Sequence, residues 1–340
     1  MSTPTLRTRL APALAAAALL MAACGDDGSS GDEAAAAAAD APSGEWTYTD
    51  GSGETVTLDE APTRIVAHGS SAAALISFGI EPVGIYADTA IEDDLALQDL
   101  DLEGIEIVGE EWGVINVEAV AALEPDLIVS EWWPVEEGYS GMEEGTNYET
   151  MSQIAPVVGV AQGPSIVQML EDYADLATSL GADLDDPAIA EASERFDAAV
   201  AAFEDANAAK PDLSVLAVSP SEEGLYVAVP EHAAELADFL EWGLGLVVPE
   251  RPDPGFEYWE TLSWENADTY QADLIIIDER SYPGNLDLAE GQPTWDTLAA
   301  AEAGAVAVWP AYWVRTYDDY AGALEDLTAA VEQADEDLVP

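Results

Sequence analysis

The sequence predicts an α/β protein of two lobes. Each lobe holds a mostly parallel sheet covered by helices, one long rigid linker helix joins them, and a ligand cleft lies between. Three observations predict this. Short apolar runs alternate with helical patterns, the mark of parallel strands joined by crossover helices. The same order resumes after residue 211, with an internal repeat at an offset of 147 positions. A single helical stripe of roughly 20 residues separates the two halves, about 30 Å of helix.

The elements follow in order. Residues 1–24 read as a secretory signal: Arg7 and Arg9, then an apolar run from Leu10 to Ala23 that is too short to span a bilayer. Small Ala22 and Ala23 stand directly before the only cysteine, Cys24. This resembles a bacterial lipobox, with Met21 where Leu is usual, and implies that Cys24 is lipidated and becomes the first residue. Residues 25–44 are Gly, Ser, Asp and Ala without an aromatic, a flexible acidic tether of roughly 25 Å as a coil. The N-terminal lobe takes 45–185. Trp46 to Thr57 alternates about Asp50-Gly51-Ser52-Gly53, a hairpin. Strands are expected at 64–67, 82–86, 105–108 and 127–129. Ser70 or Ser71 would cap one helix and Asn116 another. Ser165 and Gln168 form a capping box for a helix carrying Ile166, Leu170, Tyr173 and Leu180. The linker helix takes 186–210, opened by Pro187 and striped by Ile189, Phe196, Val200 and Phe203. The C-terminal lobe takes 211–340, with strands at 213–218, 274–277 and 306–308. It carries a helix over 231–242 and a closing helix bearing Leu324, Leu327 and Val331.

The repeat matches Asn116-Val117-Glu118, followed by Asp126-Leu127-Ile128, with Ser263-Trp264-Glu265, followed by Asp273-Leu274-Ile275. Each copy has a capping residue, a Glu in the first helical turn, and an Asp at the foot of an apolar strand.

Composition excludes several functions. Asp and Glu number 69 against 8 Lys and Arg, for a formal charge of −61. Nucleic-acid binding needs clustered cations and is excluded. Anionic lipid surfaces repel such a chain, so any membrane attachment has to be covalent or hydrophobic. One Cys and two His argue against a disulfide framework and a metal site. There is no Gly-rich phosphate loop, no nucleophile elbow and no triad partner for either His, so no catalytic residue is assigned and no enzyme is expected.

Five blocks in order carry a family resemblance. They are Pro62 to Ala67 with Phe78-Gly79-Ile80-Glu81-Pro82-Val83-Gly84, Asn116 through Ile128, Tyr148 to Val157, Ser263 through Ile275, and Trp295-Asp296-Thr297-Leu298 through Val308. They resemble the iron-siderophore and cobalamin class of substrate-binding proteins of ABC importers, over about residues 45–330. The resemblance implies a lipid-anchored receptor on the outer face of the bacterial cytoplasmic membrane. It would be a monomer without a cofactor of its own, capturing a ferric siderophore and delivering it to an ABC permease dimer. Cobalamin or haem import, or a cell-surface sensor or interaction lipoprotein on the same fold, are the alternatives. The residues do not separate hydroxamate, catecholate and carboxylate siderophores.

Ligands of parallel α/β sheets bind beyond the carboxyl ends of the strands. The candidate contacts there are Trp112, Trp132 and Trp133 in the first lobe and Arg280, Tyr282, Tyr312, Trp313 and Arg315 in the second. Aromatic faces suit a large, partly apolar chelate. Trp132 and Trp133 point oppositely on a strand, so one of them faces the cleft. Arginine offers a planar fork for anionic oxygens, the role the resemblance implies for Arg280 and Arg315. Salt bridges to the many acids are the alternative. The resemblance further implies that Glu118 and Glu265, one per lobe, dock onto permease arginines, and that Arg64 is structural.

Overall fold

The computed structural model describes residues 44–142, 146–254, 258–311 and 315–339. Residues 39–340 form one unit. Strands β1 (Trp46–Thr49) and β2 (Thr55–Leu58) pair antiparallel about the expected turn. The Asp50 carboxylate ties the hairpin down: it accepts from the Ser52 amide (2.9 Å), from Tyr139 Oη (2.8 Å) and from the Gly159 amide (3.0 Å). A Cβ on Gly51 would stand 2.6 Å from the Ala161 nitrogen, so only glycine lets the turn approach this closely.

The first large sheet follows: β3 (Ile65–His68), α1 (Gly69–Ser77), β4 (Gly84–Ala87), β5 (Glu106–Glu110), α2 (Val117–Ala122), β6 (Leu127–Trp133), β7 (Gly138–Tyr139), α3 (Thr146–Met151) and β8 (Val157–Ala161). Its order is β5-β4-β3-β6, with β7 and β8 both on β6. Only the short β7 runs antiparallel, pairing with the end of β6. Ser70 and Ser71 do not cap α1. The helix starts directly from β3 with His68 in the cap position, and both serines are buried in its first turn, where Ser71 Oγ meets Tyr173 Oη at 2.9 Å. Asn116 caps α2 as expected, accepting from the Ala119 amide.

Two helices then lead across. In α4 (Ile166–Ser179) the Ser165 hydroxyl accepts from the Gln168 amide (3.3 Å). The Gln168 side chain bonds Asp172 (3.0 Å) rather than closing the capping box. The linker α5 (Pro187–Ala209) is capped by Asp186 and spans about 34 Å at the usual rise per residue.

The second sheet comprises β9 (Val215–Pro220), β10 (Leu225–Ala228), β11 (Trp259–Leu262), β12 (Leu274–Asp278) and β13 (Val306–Trp309). Helices α6 (Ala234–Glu241), α7 (Gly284–Glu290), α8 (Ala299–Ala303) and α9 (Tyr317–Gln333) complete this half. Its order is β11-β10-β9-β12-β13. β9, β12 and β13 are parallel, whereas β10 and β11 form an antiparallel edge that the alternating pattern did not predict. Among the described residues no helix is long and apolar enough to cross a membrane.

The repeat has a structural cause. Asp126 accepts from the amides of Thr63 and Arg64, and Asp273 from the amide and hydroxyl of Ser214. Each aspartate thus pins the start of its half's first parallel strand. Burial alone would raise the Asp273 carboxyl, but the bonds from Ser214 and from the chain near Val339 hold it below the usual range. The copies differ at the glutamate. Glu118 lies in the first turn of α2, but Glu265 lies in a 3-10 turn, Trp264–Thr269, broken by non-helical backbone at Asn266. The expected α-helical start is absent there.

Two cores meet along α4. Ile166, Met169 and Leu170 pack into the C-terminal core, and Tyr173, Leu176, Ala177 and Leu180 into the N-terminal one. Tyr317, the first residue of α9, touches both, edge-on to Phe78 at 6.0 Å and tilted against Phe196 at 5.6 Å.

Candidate functional site

The carboxyl ends of β3, β4, β6 and β8 face the second half through a buried charged cluster. Its centre is Arg315, just before α9 and only 1 % exposed. Arg315 Nε donates to Glu131 Oε1 at 2.9 Å and Nη2 to Gln162 Oε1 at 2.8 Å, both in the first half. Nη1 stands 3.9 Å from Glu235 Oε1 on α6. Burial opposes the charge on Arg315, yet Glu131 and Glu235 outweigh it and raise its pKa. The arginine expected to meet ligand oxygens therefore joins the two halves instead. Its partner Glu131 interrupts the apolar strand Leu127-Ile128-Val129-Ser130. A carboxylate inside such a strand demands a buried partner, and that was the available signal for a residue sequence reasoning passed over.

Trp133 shares the Glu131 face of β6. Its Nε1 donates to Ser140 Oγ (2.7 Å), which itself bonds Glu131 Oε2 at 3.4 Å. Trp132 points the other way, edge-on to Tyr139 at 4.9 Å. With Tyr139 and Tyr148 it lines a separate cavity of about 490 Å³ that also holds Glu54, Glu137 and Glu149. The pair thus divides between the two faces, as expected for an extended strand.

At the end of β3, within reach of the Glu131 charge, buried His68 places Nε2 2.9 Å from Asp88 Oδ2. Burial would lower the imidazole pKa, but Asp88 raises it above the ordinary value. On the second half, Arg280 follows β12 and donates through Nε to the buried Asp278 carboxylate at 2.7 Å. Its guanidinium carbon lies 5.8 Å from the Trp259 ring centre, within cation–π range. Tyr282 (47 % exposed) and Trp112 (54 % exposed) both face solvent. Tyr312, Trp313 and Cys24 lie outside the described residues. Glu118 and Glu265 are exposed, and Arg64 binds the carbonyls of Leu123 and Glu124 at the end of α2, a structural role.

Glu279, between Asp278 and Arg280, is pushed up to about 7 by burial, with Asp278, Glu235 and Asp319 adding to the shift. Its folded pKa lies above the unfolded value of 4.5, so the folded chain holds the extra proton between those limits. Stability therefore falls as pH rises from 4.5 to 7. Glu279→Gln is expected to flatten this slope and to exceed the parent at pH 8 by roughly 1–3 kcal/mol, with little difference at pH 4. Urea melts at the two pH values measure it. Equal stabilities at pH 8 would refute the assignment.

The profile of the periplasmic binding protein family matches residues 61–313. DesE, a ferric-siderophore receptor protein from Streptomyces coelicolor, is 32 % identical. The match covers 86 % of this chain and 99 % of that one, with a TM-score of 0.78. The siderophore periplasmic binding protein of the Thermobifida fusca fuscachelin cluster shares the fold at 22 % identity, over 80 % and 98 % of the two chains, with a TM-score of 0.60. FhuD2 from Staphylococcus aureus, with bound ferrioxamine B, does so at 18 % identity over 79 % and 98 %, with a TM-score of 0.56. No curated protein sequence matches. The ordered sequence blocks and the two-lobed α/β fold agree with these matches, and the chain belongs to the periplasmic binding protein family, in its iron-siderophore and cobalamin class.

Proposed function

We propose that this chain captures a ferric siderophore outside the cell and hands it to an ABC permease. The likeness to the Streptomyces ferric-siderophore receptor, extending over both halves and the helix between them, carries this reading. Trp133 ends β6 and Arg280 follows β12, each at the carboxyl end of its strand, Trp112 and Tyr282 are exposed, and Tyr312 and Trp313 belong to the segment preceding Arg315. Trp132 borders the neighbouring cavity. Tryptophan-fluorescence titration with ferric chelates, cobalamin and haem tests the reading. Saturable binding of a ferric chelate supports it, and binding of cobalamin or haem alone would replace it.

The anchor is part of the proposal. Cys24→Ala should release the protein into the medium or block its processing, whereas a free Cys24 thiol in the mature protein, seen by mass spectrometry, would remove the anchor from the account. Docking is assigned to Glu118 and Glu265, exposed carboxylates at matching places of the repeat, suited to permease arginines. Reversal of either to Lys is expected to cut iron uptake several-fold at low salt and to leave ligand affinity unchanged, with the double reversal worse. Low salt matters because ionic strength screens exposed pairs. Normal uptake by the double variant would end this assignment.

A further inference from the structure

The cavity of about 490 Å³ that Trp132 borders lies on the face of β6 opposite to Glu131. Its walls are aromatic rings. Trp132 stands edge-on to Tyr139 with the ring centres 4.9 Å apart, and Tyr148 stacks on Tyr139 at 5.2 Å with 11° between the planes. The group is fixed before any ligand arrives. Tyr139 Oη donates to Asp50 Oδ2 at 2.8 Å. β8 passes so close that a Cβ on Gly159 would stand 2.9 Å from the Tyr139 ring and 3.0 Å from Trp132 Cβ. Tyr139 is buried, Trp132 half-buried and Tyr148 40 % exposed, so the rings run from the interior to the mouth.

Charge at the mouth has one sign. Glu54 beside the hairpin turn, Glu137 from the turn between β6 and β7, and Glu149 from α3 line the cavity, and all three are exposed. No basic side chain lines it. Among the described residues no ion pair involves these glutamates. Nor do they form a group able to hold a metal ion. Negative charge is therefore spread around the rings and not focused on one point. Glu137 takes its place with a φ of 52°, the left-handed region that glycine adopts at less cost.

These features select among guests. An anion is repelled by three carboxylates with no cation beside them. A small, strongly hydrated metal ion finds no converging oxygens. A weakly hydrated organic cation fits both parts: its alkyl surface and diffuse charge lie against ring faces, and the carboxylates add attraction from around it. The volume falls in the small-molecule range, so the nitrogen can carry substituents. We propose that this cavity binds an organic ammonium ion of the choline type, whatever the two halves hold between them.

The test follows the N-methyl signal of choline by ligand-observed NMR with the full mature chain. Salt is kept at about 0.15 M, where diffuse attraction to an acidic surface is largely screened. The comparison probe is the uncharged isostere of choline, with a tert-butyl group in place of trimethylammonium. Choline is expected to bind saturably and at least about 10-fold more tightly than the isostere, the size of a desolvated cation–π contact. Tyr148→Leu keeps every carboxylate and the apolar bulk, and should weaken choline several-fold. Glu137→Gly should weaken it too, with the thermal midpoint unchanged or raised, because glycine suits that backbone. Equal binding of the isostere would make the cavity merely apolar and overturn the proposal. Unchanged choline binding by Tyr148→Leu would reduce it to counter-ion attraction, and no saturable binding would also end it. Ferric-chelate titration of Tyr148→Leu should match the parent. A parallel loss there would merge the cavity with the chelate site and overturn the separate assignment, leaving the siderophore reading in place.

Discussion

Arg315→Met is expected to destabilise the protein by about 3–5 kcal/mol, the usual loss when one partner of a buried ion pair is removed. The side chain is 1 % exposed, and its removal strands Glu131 and Glu235, equally buried, on opposite halves. Gln162 Oε1 loses its donor as well. Arg315→Lys should recover only part of this loss, since an ammonium lacks the fork that reaches Glu131 and Gln162 together. Adding Glu131→Gln to Arg315→Met should restore a large share of the stability, because the stranded charge is then gone. Urea unfolding followed by circular dichroism gives the double-mutant cycle. A single-variant loss under about 1 kcal/mol would mean that the cluster is open to water and contributes as an exposed pair does.

That cluster also marks where the sequence stopped being readable. The parallel strands, the linker helix and the repeat were legible because apolar periodicity and caps are local signals. Asn116 and Asp186 cap their helices through bonds within three residues. The roles of Asp126 and Asp273 were not legible, since each reaches about sixty residues back to the first strand of its half. The antiparallel edge of β10 and β11 escaped because their pairing bridges a long intervening stretch that contains α6. Arg280 and Arg315 were placed correctly past their strands, but which acids they meet depends on tertiary approach. With 69 acids in the chain, composition alone could not distinguish a ligand-binding arginine from a paired one. Trp309 illustrates the same limit. It ends a strand, where a cleft residue could stand, yet it is fully buried in the C-terminal core.

Phe203→Ala is expected to cost about 3–5 kcal/mol, the range for emptying a buried aromatic site. Phe203 is fully buried on α5, edge-on to Phe239 at 5.4 Å and to Trp242 at 6.3 Å. The ring seats the linker on the C-terminal core, so its loss leaves a cavity between α5 and α6 that rigid helices cannot readily close. The consequence should extend beyond that half. Residues of α4 enter both cores, Ile189 of α5 packs against the N-terminal core while Phe196 and Phe203 enter the other, and Tyr317 touches both. Neither half can shed these helices without exposing apolar surface of its own. Calorimetry should therefore show one endotherm in the parent and one, at lower temperature, in the variant. A variant endotherm split in two, with the first half still melting at the parent temperature, would show that the halves unfold independently and that α4 and α5 do not couple them.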